Sequence, residues 1–153
     1  MNYFDFLEIP VSYNLNELQL LRIYLQKQSQ SHPDVGVATS NQDDSALLNA
    51  AYKTLMDPLK RAEHFLQVKN VNVEETLPEV MMQAFELQEN YSALTSLEDK
   101  KIFQKKLKNQ MEAMLESLRE TEENLQEFCK IFSRLRFIGS FLEKVCDDVH
   151  DRN

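Results

Sequence analysis

Apolar positions recur along this chain at spacings of three and four, and no stretch sustains the alternation of period two that a half-buried strand needs. Tyr3, Phe4, Phe6 and Leu7 make a short aromatic-rich turn closed by Ile9-Pro10. Asn14 or Asn16 supplies a side-chain acceptor for the first N–H groups of the next helix. That helix carries Leu18, Leu21 and Leu25 on one stripe, widened by Leu15, Ile23 and Tyr24, and runs toward Ser31. Pro33 disfavours helical geometry at His32, so the break falls there. Residues 35–44 read as a small, polar loop ending in acids that suit a helix N-terminus. A helix over 45–56 follows, with Leu47, Leu48, Ala51, Tyr52 and Leu55 apolar. Asp57-Pro58 then opens a short helix, 59–68, because proline is tolerated at the first helical position.

Residues 69–72, Lys-Asn-Val-Asn, are the best candidate for a domain boundary. Beyond it, Pro78 opens a helix to about Leu94 with Val80, Met81, Ala84, Phe85, Leu87 and Tyr91 apolar. Ser96-Leu97-Glu98-Asp99 has the form of a helix start, a capping serine followed by first-turn acids. From there Phe103, Leu107, Met111, Met114, Leu118, Leu125, Phe128, Phe132 and Leu135 keep spacings of three, four or seven, a seam for helix–helix packing. Glu120-Thr121-Glu122-Glu123 interrupts it. One helix of that length could not cover its own seam, so a hairpin packed on the 78–94 helix is favoured, with the last helix ending near Asp148. The expectation is an all-α fold: a small helical domain over 1–70, then a three-helix bundle over 71–153.

Composition narrows the function classes. The chain of 153 residues carries a net charge of −8, about −2 of it before residue 70 and −6 after. Nucleic acid binding needs a basic surface to displace counterions, and this balance argues against it. The cluster Lys105-Lys106-Leu107-Lys108 is interleaved with apolar positions and reads as a solvated helix face. No apolar run approaches the roughly 20 residues that span a bilayer, so no membrane association is expected. The first residues lack the basic region of a secretory signal and the early arginines of a mitochondrial presequence, so a cytoplasmic location is expected. Cys129 and Cys146 match no zinc or redox spacing and read as small buried hydrophobes. Neither a metal nor a cofactor is expected.

The chemistry concentrates at Gln28-Ser29-Gln30-Ser31-His32-Pro33-Asp34. A histidine two residues from an aspartate invites an acid–base reading, yet no nucleophile elbow, glycine-rich oxyanion loop or ligand cluster accompanies it. His64 and His150 lie in helical contexts with no local ligand companion. No catalytic residue is assigned. His-Pro-Asp between two amphipathic helices instead resembles the J-domain of DnaJ-type co-chaperones. The segment from Leu47 to Leu66 resembles that family's pattern at Asn49, Ala51, Tyr52, Leu55, Asp57, Pro58, Arg61 and Ala62, and the opening Asn2–Pro10 resembles its start. Together these cover about residues 2–68.

The Arg61-Ala62-Glu63 continuation, the acidic second half and the Arg134–Phe141 segment are similar to the HscB family, the J-type co-chaperones of iron–sulfur cluster assembly. The resemblance implies a non-enzymatic adaptor with two partners, the chaperone ATPase HscA and the cluster scaffold protein IscU. On the chaperone side it implies His32, Pro33 and Asp34, with Arg22 and Lys27 on the preceding helix. Asp34 offers a carboxylate that an arginine can grip, and His32 a ring that donates or stacks. That helix holds few cations for its kind, and Val35 stands where most J-domains carry a basic residue. On the scaffold side the resemblance implies Met81, Met82, Phe85, Glu86 and Glu89, with Phe137. Spacing alone favours the opposite reading for Met81, Phe85 and Phe137, as bundle core, and the resemblance reverses it.

Overall fold

The computed structural model describes residues 1–31, 42–74 and 77–152, and every regular element among them is a helix. In chain order these are α1 (Tyr3–Phe6), α2 (Glu17–Ser31), α3 (Gln42–Met56), α4 (Pro58–Val68), α5 (Leu77–Ser92), α6 (Leu97–Glu120) and α7 (Leu125–Asp151). The residues gather into two compact units, Met1–Asn70 and Val71–Asn153. Helix α3 begins three residues before the apolar pattern announces it, and α7 runs one turn past Asp148.

In the first unit, Asn2 caps α1 by accepting from the Phe4 and Asp5 amides. The helix ends with Glu8 in the left-handed region (φ 59°), while the Glu8 and Ile9 amides donate to Asp5 and Phe4 carbonyls. This closure satisfies carbonyls that a helix end otherwise orphans. Asn16 caps α2 through the Gln19 amide at 3.1 Å. The core joins Phe4, Leu7 and Tyr13 to Leu20 of α2, Leu48, Ala51 and Leu55 of α3, and Ala62, Phe65 and Leu66 of α4.

The inward stripe of α2 is not the one its sequence suggests. Leu20 is buried, whereas Leu18 and Leu25 are 60% and 52% exposed. Helix α2 packs on α3 along the Leu20–Tyr24 line, where the Tyr24 ring stacks on Tyr52 at 4.2 Å and its hydroxyl meets Asn49 Oδ1 at 2.6 Å. Two apolar stripes share this helix, and the one that meets α3 is the inner one.

The corner between α3 and α4 explains why aspartate, proline and arginine occur together there. Asp57 caps α4, drawing the Leu59 amide at 2.9 Å and the Lys60 amide at 3.1 Å onto its carboxylate. The Leu59 N–H is therefore lost to the Leu55 carbonyl, its partner had the helix continued. Buried Arg61 fills the gap, donating from Nη1 to the Leu55 carbonyl at 2.9 Å. Its guanidinium lies 5.0 Å from the Tyr13 ring centroid, and Glu17 approaches it at 3.7 Å. Asn70, at φ 57°, ends α4 in a left-handed residue, a conformation asparagine adopts readily.

In the second unit, α6 and α7 form the hairpin. Thr121 caps α6, its Oγ1 donating to the Ser117 carbonyl at 2.9 Å, and Asn124 caps α7 through the Glu127 amide. The core contains Leu107, Ile138, Phe141, Val145 and Val149, with Leu87, Tyr91, Phe103, Met111 and Met114 packed against it. Lys105, Lys106 and Lys108 face solvent while Leu107 points inward. Cys129 is buried and Cys146 half-buried, both as thiols.

Where α5, α6 and α7 meet, Asp148 gathers three donors: the Tyr91 hydroxyl, Lys100 Nζ at 3.0 Å and Arg152 Nε at 3.0 Å. The Lys100 ammonium also lies 5.1 Å from the Tyr91 ring centroid, which offsets the cost of burying a charge. These donors, Tyr91 foremost, hold the Asp148 carboxyl well below the usual carboxylate range. Burial, together with the carboxylate it donates to, pushes the Tyr91 phenol up to about 12.

Candidate functional site

Helix α5 divides its apolar residues between two faces. Val80 and Ala84 are buried and Leu87 and Tyr91 half-buried, a line at i, i+4, i+7 and i+11 that packs inward. Met81, Met82 and Phe85 point away from that line and are 65%, 77% and 62% exposed. Glu86 and Glu89 are exposed beside them. The core alternative for Met81 and Phe85 is thereby excluded: neither contributes to the bundle interior.

Phe137 belongs to both worlds. It is half-buried, its ring stacks on Phe141 at 6.1 Å between centroids, and it packs against the bundle core. It also walls two clefts along the α5–α7 junction. One, of about 470 Å³, is lined by Val80, Met81, Phe85, Ser133, Arg136 and Phe137. The other, of about 280 Å³, is lined by Ala84, Glu86, Leu87, Gln110, Arg134 and Phe137. Short Ala84 fronts both clefts and cannot fill the space beside Phe137. Helix α5 bears Glu79, Glu86 and Glu89 and no cation. Arg134 and Arg136 form no ion pair among the described residues, and the Arg136 guanidinium lies 5.5 Å from the Phe132 centroid. The face is thus a flexible apolar patch with an adjoining groove, acidic on α5 and basic on α7. Thioether side chains repack against irregular surfaces, which suits a protein-binding surface better than a small-molecule pocket.

The other predicted cluster is reached only in part. His32, Pro33 and Asp34 lie outside the described residues. Arg22 is exposed on α2. Lys27 is committed within its own unit, 2.9 Å from the Glu8 carboxylate.

His64 has a role that its sequence context does not signal. Its Nε2 accepts the Tyr3 amide at 3.0 Å, and its ring stacks on Tyr3 and Phe4. Burial, then the charge of the N-terminal ammonium, lowers its pKa below the ordinary 6.5. A neutral imidazole therefore ties α4 to α1, and its lone pair is spent. Among the described residues no three His, Cys, Asp or Glu side chains gather as a metal site, and no helix is long and apolar enough to cross a membrane.

No protein-family model matches the sequence. The co-chaperone protein HscB homolog of Shewanella amazonensis is 28% identical over 99% of this chain and 100% of its own length. The chaperone HscB from Vibrio cholerae superposes with a TM-score of 0.72 at 26% identity, covering 99% of both chains. These likenesses support a place for the chain in the HscB co-chaperone family. Human co-chaperone protein HscB shares the fold at 21% identity, with a TM-score of 0.78 over 97% of this chain and 82% of the human one. The same likeness supports a J-type co-chaperone, all-α with a J-domain and a helical bundle. Within this HscB-type framework, the Asp57-Pro58-Arg61 corner is the element that locks α3 to α4.

Proposed function

We propose that this chain is an adaptor of iron–sulfur cluster assembly, which binds the scaffold protein IscU through the α5–α7 face and stimulates ATP hydrolysis by the HscA chaperone through His32, Pro33 and Asp34. The observation that carries the scaffold half is the joint exposure of Met81, Met82 and Phe85 beside a groove. Folded proteins rarely leave such side chains together in water without a partner to cover them. Glu86 and Glu89 rim the patch and favour a basic surround on the scaffold, while Phe137 lines the adjoining groove. Arg22, exposed on α2, flanks the chaperone contact; Lys27 contributes through Glu8, by fixing the start of the domain against α2. Holding both partners on one chain raises the effective concentration of scaffold at the chaperone. The chain performs no chemistry itself and works in the cytoplasm.

Two variants separate the halves. Asp34→Asn abolishes stimulation of HscA and leaves IscU affinity unchanged. Met82→Ala with Phe85→Ala weakens IscU binding and leaves stimulation by the chain alone intact. Equal loss of both activities in either variant, with circular dichroism unchanged, contradicts the two-site reading.

A further inference from the structure

Two cations of α7 stand without an acid in reach, although acidic residues outnumber basic ones 25 to 17 along the chain. One helical turn to either side of Arg136 are Phe132, Ser133, Gly139 and Ser140, and around Arg134 are Lys130, Ile131, Phe137 and Ile138. Neither arginine therefore has a carboxylate neighbour on its own helix. Both are exposed, and neither forms an ion pair with another helix among the described residues. Their surroundings differ. Arg134 shares the smaller cleft with Glu86, where an incoming carboxylate would meet a like charge. The larger cleft, of about 470 Å³, has Arg136 as its one charged lining residue among the described residues, beside apolar Val80, Met81, Phe85 and Phe137. The Arg136 guanidinium lies 5.5 Å from the centroid of the buried Phe132 ring, a contact that keeps the head group close to α7. Its fork of N–H donors has no acceptor among the described residues.

We propose that Arg136 is a specificity-determining residue for the scaffold: the larger cleft takes an apolar side chain of IscU, and Arg136 grips an aspartate or glutamate beside it. This grip rests on the reading of the α5–α7 face as the scaffold site. It adds a charge that α5 does not supply, since that helix bears no cation. A planar guanidinium meets a carboxylate through two parallel N–H···O bonds, so the pair fixes an angle of approach as well as a charge. An apolar side chain seated in the cleft excludes water from the pair and strengthens it. The face thus asks its partner for both signs, cations toward Glu86 and Glu89 on α5 and a carboxylate toward α7. A partner with the opposite arrangement brings like charges together on both helices, and an apolar segment without the carboxylate leaves the arginine covered and unpaired.

The test is calorimetric titration of IscU into the full chain and its variants. Arg136→Gln should raise the dissociation constant at least about tenfold, the loss expected when a charge-assisted hydrogen-bonded pair is broken. Circular dichroism and stimulation of HscA by the chain alone should stay as in the parent, because Arg136 is exposed and belongs to the second unit. Arg119→Gln, which removes the same charge from the end of α6, should move the constant less than about twofold. Replacing the aspartates and glutamates of IscU one at a time by their amides should find one that weakens binding to the parent and not to the Arg136→Gln variant, the coupling that a direct pair requires. An Arg136→Gln constant within about threefold of the parent overturns the proposal, as does the absence of any coupled carboxylate. Met82→Ala with Phe85→Ala separates the levels of failure. If that variant weakens binding while Arg136→Gln does not, the grip alone falls. If the parent does not bind IscU, the scaffold reading falls and the grip with it. A parent dimer that Arg136→Gln dissociates in sedimentation would make the carboxylate a second copy's, and so overturn the proposal.

Discussion

Truncating Phe85 to alanine separates a binding role from a structural one, because the two roles predict opposite pairs of numbers. Phe85 is 62% exposed. A phenylalanine offers on the order of 200 Å² of surface, so roughly 125 Å² of this ring remains in water. Covering that area is worth at most about 3 kcal/mol at about 25 cal/mol per Å². Ordering of side chains at the interface returns part of it, leaving about 2 kcal/mol, which is roughly a 30-fold weakening of IscU binding. The fold loses only what the covered third of the ring supplied, about 1 kcal/mol, since the alanine methyl keeps some of that burial. Calorimetric titration of IscU and urea unfolding of the same variant read the two quantities. A dissociation constant within about threefold of the parent would refute the contact, because a central apolar anchor costs 2 kcal/mol or more when truncated. A stability loss beyond about 3 kcal/mol, the range of a core aromatic, would refute the exposed placement of the ring.

Other residues give equally direct expectations. Arg61→Met leaves the Leu55 carbonyl without a donor and should destabilise the first unit by about 2 kcal/mol, read in urea unfolding followed by circular dichroism; no change would mean that water replaces the guanidinium. The neutral state of His64 stabilises the first unit above about pH 6.5, the unfolded value, and that contribution is lost as pH falls from there through the lowered folded value. Urea midpoints should therefore drop as pH falls below about 6.5, and His64→Gln, which keeps an acceptor for the Tyr3 amide, should flatten that slope; an equal slope in both proteins would contradict the assignment. Tyr91 should ionise near pH 12 in an ultraviolet titration, and Asp148→Asn should lower that midpoint by removing the neighbouring charge; an unmoved midpoint would break the link between the two groups.

How much of this was readable beforehand differs by element, for physical reasons. Caps and stops are local, so Asn16, Asp57-Pro58, Ser96 and the turn at Thr121 are legible from residue type alone. Choosing the buried stripe is not local. On α2 the line through Leu18 and Leu25 has a helical spacing as good as that through Leu20 and Tyr24, and only the position of α3 decides between them. On α5 the lines Val80–Ala84–Leu87 and Met81–Phe85 overlap in the same way, so pattern alone favours the core for Met81 and Phe85, which their exposure overturns. The Tyr91–Lys100–Asp148 cluster had no signal at all, because its members are 48 and 57 residues apart. Arg61 is prominent within its motif, but its purpose depends on an amide that Asp57 diverts from Leu55. His64 looked idle because its partner is a backbone N–H more than sixty residues away.

The central claim is that one chain couples a scaffold protein to a chaperone ATPase. Steady-state ATP hydrolysis by HscA tests it most directly, measured with this protein alone, with IscU alone and with both. The account predicts that the two together stimulate far beyond the sum of their separate effects. A rate equal to that sum, with the chain still stimulating alone, would contradict the coupling and leave a J-domain whose second unit serves some other client.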